Sequence, residues 1–188
     1  MAGCGLLGVL ATAQAEGAEA PGVKFKVLGE NDRIDVGDRG KQIIEEAYKN
    51  GFELEKKHVG CARCTVAALQ KSIEFVGEKR GLFRAASCLD GGATPHGIQN
   101  CGAFTGAGMI IGWVCGNEQF GETRLCHKLI RQVYEQFEKE YGSVLCKDVK
   151  EKASRNCPEV VGKAAKWTAE VLLRQFTNYE QARERLNG

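Results

Sequence analysis

Apolar residues recur at three- and four-residue spacing over most of the chain, the signature of helices that bury one face. The first such stretch begins at Asp38, where Ile43, Ile44, Ala47, Tyr48 and Phe52 repeat before the polar residues 53–57. A second helix is predicted from near Cys61, carrying Val66, Ala67, Leu69, Ile73, Phe75 and Val76, with Gly77 as its stop. A short helix over 81–86 leads into a loop, CLDGGATPHGIQN, at 88–100. The apolar run 101–115 is too long for an ordinary strand and reads as a buried helix. Its glycines at 102, 106, 108 and 112 make two pairs four apart, a small-residue stripe that lets another helix approach. The clearest face is Leu125, Leu129, Ile130, Val133, Phe137 and Tyr141. After a break at Gly142 and Ser143, a last helix over 158–176 carries Val160, Val161, Ala164, Trp167, Val171, Leu172 and Phe176. No βαβ alternation and no internal repeat is visible. The pattern predicts an all-α, single-domain bundle of about five helices over 38–177, with a polar tail at 178–188 read as an exposed helical extension.

The front of the chain has another character. Residues 3–15, GCGLLGVLATAQA, form a short apolar run ending in small residues, and Ala13-Gln14-Ala15 and Ala18-Glu19-Ala20 fit a small-x-small cleavage pattern. The run has the length of a signal-peptide core, not of a membrane helix. No basic stretch precedes it, so it resembles the downstream part of a twin-arginine signal with Met1 as an internal methionine. Residues 1–20 are therefore expected to be a partial export signal and the protein periplasmic or otherwise exported. Residues 21–37 read as an extended arm, in which Val23, Phe25 and Val27 alternate as in a short strand.

Composition narrows the function. The 188 residues are 43% hydrophobic and 27% charged with a net charge of +2, which fits a globular domain and offers no basic block or stripe for nucleic acid. No stretch is apolar enough for a membrane span. The glycines at 91–92 and 102–112 match neither a phosphate-binding loop nor a placed dinucleotide fingerprint. Trp113 and Trp167 are most simply core residues. Nine cysteines stand out, and with Cys4 set aside, eight remain: 61, 64, 88, 101, 115, 126, 146 and 157.

Their positions matter more than their number. Cys61 opens the second predicted helix, Cys101 follows Asn100 at the head of the glycine-rich one, and Cys157 lies between Asn156 and Pro158, a helix-start pair. At a helix N-terminus the free N–H groups and the positive dipole end favour the thiolate, the form that ligates metal or attacks disulfides. Cys146 falls in the break before the last helix. Four such groups around one point would suit tetrathiolate ligation of an iron–sulfur cluster. Cys88, Cys115 and Cys126 read equally well as core filling. His58 and His96 lie near Cys61 and Cys101 in sequence, but each, like His127, is more simply a surface or loop residue.

Cys101-Gly-Ala-Phe-Thr-Gly106 is a full match to the CGAxxG motif of the C-GCAxxG-C-C family of redox-active proteins, which the chain resembles over about residues 40–176. Gly60-Cys-Ala-Arg-Cys-Thr-Val-Ala-Ala-Leu-Gln70 is similar to that family's first cysteine segment, and Arg84-Ala-Ala-Ser with Gly91-Gly92 to its lead-in. Cys146 and Cys157-Pro-Glu-Val-Val-Gly-Lys-Ala-Ala resemble the third and fourth segments. The family also looks related to the iron–sulfur part of split-Soret cytochrome c. The resemblance implies a cluster held by Cys61, Cys101, Cys146 and Cys157, [2Fe–2S] favoured over [4Fe–4S], and a homodimer. Cys64 is the alternative to Cys61. Covalent c-type haem is not expected, because Thr65, not histidine, follows Cys64.

The expectation is an exported electron carrier working with a redox partner protein, more a carrier than an enzyme. Two rivals stand beside it. One is a thiol–disulfide oxidoreductase using Cys61 and Cys64, although that motif normally sits in a βαβ context. The other is a structural zinc protein.

Overall fold

Helix-forming stripes become helices throughout the computed structural model, which describes residues 26–93 and 97–187. Eight α-helices occur among them, with no strand beyond isolated bridges. They are α1 (Gly40–His58), α2 (Cys61–Ser72), α3 (Arg80–Ala85), α4 (Gly102–Cys115), α5 (Arg124–Tyr141), α6 (Cys146–Lys152), α7 (Cys157–Phe176) and α8 (Tyr179–Asn187). The all-α class follows the sequence pattern, and the helix count exceeds it. Residues 53–57 continue α1 through another turn and a half. Residues 146–152, read as a break, form α6, and the tail forms α8 with Tyr179 and Ala182 buried, so its inner face is not an exposed extension.

The two long helices α1 and α7 pack along each other, and α2 lies against both with α4 on its other side. α1 buries Ile43, Ile44, Ala47 and Gly51, and α7 answers with Val161, Ala164, Ala165 and Leu172. The helices come close because Gly51 and Gly162 carry no side chain; a Cβ on Gly51 would stand 3.0 Å from the Val161 carbonyl. α5 contributes Leu129, Val133, Phe137 and Tyr141 from a single face. The Phe137 ring, fully buried, meets the rings of Phe104 at 5.6 Å, Tyr141 at 5.6 Å and Trp167 at 5.4 Å. Each such buried apolar side chain contributes roughly 1.5–3 kcal/mol relative to exposure.

The glycine stripe of α4 divides in two. At Gly106 a Cβ would stand 2.7 Å from the Ala62 carbonyl, and at Gly102 it would overlap Cys61 Sγ, so this pair sets the α2–α4 crossing. Gly108 and Gly112 do not share that role: the first would meet only Ile130 at 3.6 Å and the second nothing within 4 Å.

Residues 26–39 run as an irregular arm. Leu28 is buried and donates its N–H to Val114 O at 2.9 Å, while Ile34 donates to Phe176 O at 2.7 Å and bridges Thr177. Val27 lies in no strand; Val23, Phe25 and the export segment lie outside the described residues. No helix of the described residues is long and apolar enough to cross a membrane.

Candidate functional site

Four helices begin at one end of the bundle, and each begins with a cysteine. Cys61, Cys146 and Cys157 are the first residues of α2, α6 and α7, and Cys101 is the N-cap of α4. All four line a single cavity of about 410 Å³, together with Glu55, Val59, Gly60, Arg63, Asp90, Gly91, Val149, Lys150 and Val160. Cys101 and Cys146 are buried, Cys61 and Cys157 half-buried. Among the described residues, no group of three or more Cys, His, Asp or Glu side chains is disposed to hold a metal ion. The four sulfurs expected from the sequence to surround one point all line this one cavity.

Three local devices hold the ring. Between α1 and α2 the chain turns in two residues: Val59 has φ +51° and Gly60 φ +155°, a region where glycine is at home. The Gly60 N–H donates to Glu55 Oε2 at 2.8 Å, fixing the turn to a buried carboxylate. Asp90, in the 3₁₀ turn Asp90–Ala93, then caps α2, accepting from Ala62 N at 2.7 Å and from Arg63 Nε at 3.3 Å. The second device is a short antiparallel pairing. Cys101 N donates to Val144 O (2.7 Å), Cys146 N to Gln99 O (2.9 Å) and Lys147 N to Gly97 O (2.9 Å), around the bridge of Asn100 with Leu145. It sets Cys101 beside Cys146 across 45 residues of chain. The third is Asn156, whose side chain accepts from Glu159 N at 3.4 Å, with Pro158 in the first turn of α7.

The electrostatics single out one sulfur. A hydrogen bond from the Cys101 thiol, helped by the Gly91 N–H, lowers the Cys61 pKa to about 7 against burial and the Glu55 and Asp90 carboxylates. Cys101 moves the other way, well above the usual thiol range, because it gives its proton to Cys61 and is buried; the Ala103 N–H opposes this. Burial raises Cys146 and Cys157, with Lys150 pulling against it in both. Cys61 is thus the one sulfur of the ring whose thiolate form its surroundings favour, through the Cys101 S–H.

Cys64 does not line the cavity. It is buried under α2, where burial and the Glu55 carboxylate push its thiol up to about 12. Its partner of sequence, Cys61, engages Cys101 instead. Cys88 is exposed, and Cys115 and Cys126 meet each other elsewhere. His58 and His127 are exposed and line no part of the cavity, and His96 lies outside the described residues. Glu55, Asp90 and Arg63 were not anticipated; acidic and basic residues between cysteines look like ordinary solvated positions in a sequence.

The description of the family model that matches residues 59–171 is "Putative redox-active protein (C_GCAxxG_C_C)". The chain belongs to this family. The matched span contains all four helix-starting cysteines and the segment Cys101-Gly-Ala-Phe-Thr-Gly106, in which Gly102 and Gly106 are the close-approach positions on α2. The motif's glycines thereby have a packing reason in this member of the C_GCAxxG_C_C family: they bring the head of α4 down onto Cys61. No curated protein and no solved structure matches the chain.

Proposed function

We propose that the protein is an electron carrier that holds one iron–sulfur cluster through Cys61, Cys101, Cys146 and Cys157. The observation that carries this reading is the ring of four thiols at four helix N-termini around one cavity. The donor set fits the group. Thiolates are the ligands such clusters require, and backbone N–H groups of Gly91 and Ala103 already point at sulfur, where they stabilise negative charge. Gly102 and Gly92 leave room where any side chain would press on Cys61 Sγ or Cys146 Cβ. When bound, the cluster supplies one-electron redox chemistry. The chain's part is to give up thiol protons on loading, to limit water through Val59, Val149 and Val160, and to balance charge with Arg63 and Lys150 against Glu55 and Asp90. [2Fe–2S] is favoured over [4Fe–4S], without covalent haem. Residues 1–20 would act as the end of an export signal, and a redox protein of the same compartment would be the partner.

The test is anaerobic purification with cluster-assembly support, followed by absorption and paramagnetic-resonance spectra. A brown protein with iron and acid-labile sulfide in near-equal amounts, bleached by dithionite, is expected. Cys101→Ser should lose the colour, and Cys64→Ser should keep it. A colourless, iron-free wild type refutes the cluster. A second reading is favoured by the hydrogen bond between Cys61 and Cys101: those two would then be the exchanging pair of a thiol–disulfide oxidoreductase, in place of the Cys61 and Cys64 pair. Zinc without a visible band would instead support the structural rival.

A further inference from the structure

Cys115 and Cys126, which the proposed function does not use, lie with their sulfurs 3.5 Å apart. Cys115 is the last residue of α4 and Cys126 the third of α5. Cys101 caps the other end of α4, so a helix of 14 residues, about 20 Å at 1.5 Å per residue, separates this pair from the four-cysteine cavity. Both thiols are free and half-buried, and residues 117–123 of the connection between the helices are all exposed, with the Phe120 ring standing fully in solvent. The way to the pair lies along the surface.

We propose that Cys115 and Cys126 form a second redox site, a dithiol that exchanges with an external disulfide and closes a bond across the α4–α5 connection. The two sulfurs are not equivalent. Cys115 donates its S–H to Ile111 O at 3.2 Å and sits at the negative end of the α4 dipole. Its proton is thus engaged, and burial, together with the close contact with Cys126, further holds it in the thiol form. Cys126 lies in the first turn of α5, beside the exposed residues 117–123, and among the described residues makes its sulfur contact with Cys115 alone. Cys126 is therefore the attacking sulfur and Cys115 the resolving one. Cys126 gives its proton to water and attacks one sulfur of the external disulfide, forming a mixed disulfide and releasing one thiolate, which takes up a proton from water. Cys115 then attacks the Cys126 sulfur, breaks the mixed bond and releases the second thiolate, which takes up the Cys115 proton. The protein dithiol loses two electrons, and the external disulfide is reduced to two thiols. The site needs neither the cluster nor any of its four cysteines.

The fully reduced full-length protein is treated with oxidised glutathione, then alkylated and mapped by peptide mass spectrometry. A peptide pair joined through Cys115 and Cys126 is expected. In Cys115→Ser the reaction should stop at a Cys126–glutathione adduct, and in Cys126→Ser the Cys115 thiol should remain alkylatable. Wild-type protein in which both thiols still alkylate, or in which each carries its own glutathione, overturns the proposal. So does a bond from either sulfur to any other cysteine. The wild-type map decides the matter by itself if a variant fails to fold.

Discussion

One substitution, made twice in α4, separates close packing from helix propensity. Gly112 is exposed with nothing within 4 Å of a new Cβ, so Gly112→Ala should express only the helical preference of alanine. That preference is about 1 kcal/mol, which in a chain of this size raises Tm by roughly 2–4 °C. Gly106→Ala brings the same preference, but its Cβ would stand 2.7 Å from the Ala62 carbonyl and 3.0 Å from Thr65 Cβ. A main-chain oxygen inside a helix cannot rotate away, so α2 and α4 must move apart. Overpacking of this kind costs about 1–3 kcal/mol. Because the obstacle is rigid backbone, the upper part of that range applies, and after the propensity gain the net loss is about 1–2 kcal/mol, or roughly 2–8 °C. Urea and thermal unfolding of the two variants beside the wild type make the comparison. Equal stabilisation of both, or destabilisation by Gly112→Ala, would refute the claim that Gly106 marks a helix contact and Gly112 does not.

Three further outcomes follow from the site. In cluster-free protein a thiol with a lowered pKa is ionised, and alkylates, at lower pH; iodoacetamide labelling of Cys61 should rise through about pH 7, with Cys64 protected far above it. Asp90→Asn keeps an oxygen for the Ala62 N–H but removes a charge that raises the Cys61 pKa, so the labelling midpoint of Cys61 should move to lower pH. The lost pairing with Arg63, itself part-exposed, should cost under about 1 kcal/mol in unfolding experiments. Tyr141 has a buried hydroxyl with no hydrogen-bond partner among the described residues, so Tyr141→Phe should leave the cluster-free protein as stable or up to about 1–3 kcal/mol more stable by calorimetry. A clear loss of stability there would show that the hydroxyl has a partner.

The helices were legible where they are long enough to repeat. α5 shows Leu129, Val133, Phe137 and Tyr141 at a constant spacing of four, and the structure buries those four. α6 was not legible because seven residues hold a single apolar position, Val149, and one position has no period. The cysteine positions could be read because helix-start chemistry is local: Asn100 before Cys101, Asn156 and Pro158 around Cys157. What joins them could not. The pairing of residues 97–101 with 144–147 is made by main-chain groups across 45 residues, and main-chain bonds leave no side-chain pattern. Asp90 was invisible for another reason: it acts on the α1–α2 corner across 28 residues of chain that only the fold removes, while Glu55, five residues before Gly60, looks like one more polar position at the end of α1. The doubling Cys61-Ala-Arg-Cys64 suggested a pair, yet on a helix three residues apart the second sulfur passes beneath the surface while the first faces the cavity.

The scatter of the four sulfurs along the chain has a consequence for biosynthesis. When residue 140 has been added to the growing chain, only Cys61 and Cys101 of the four have been made; Cys146 and Cys157 follow, and α7, the main support of α1, is completed after them. No nascent chain shorter than 157 residues carries all four cysteines, in contrast to a knuckle whose cysteines lie within one short loop. The cysteine ring is therefore completed late, and a truncation before α7 removes Cys157 together with a wall of the cavity.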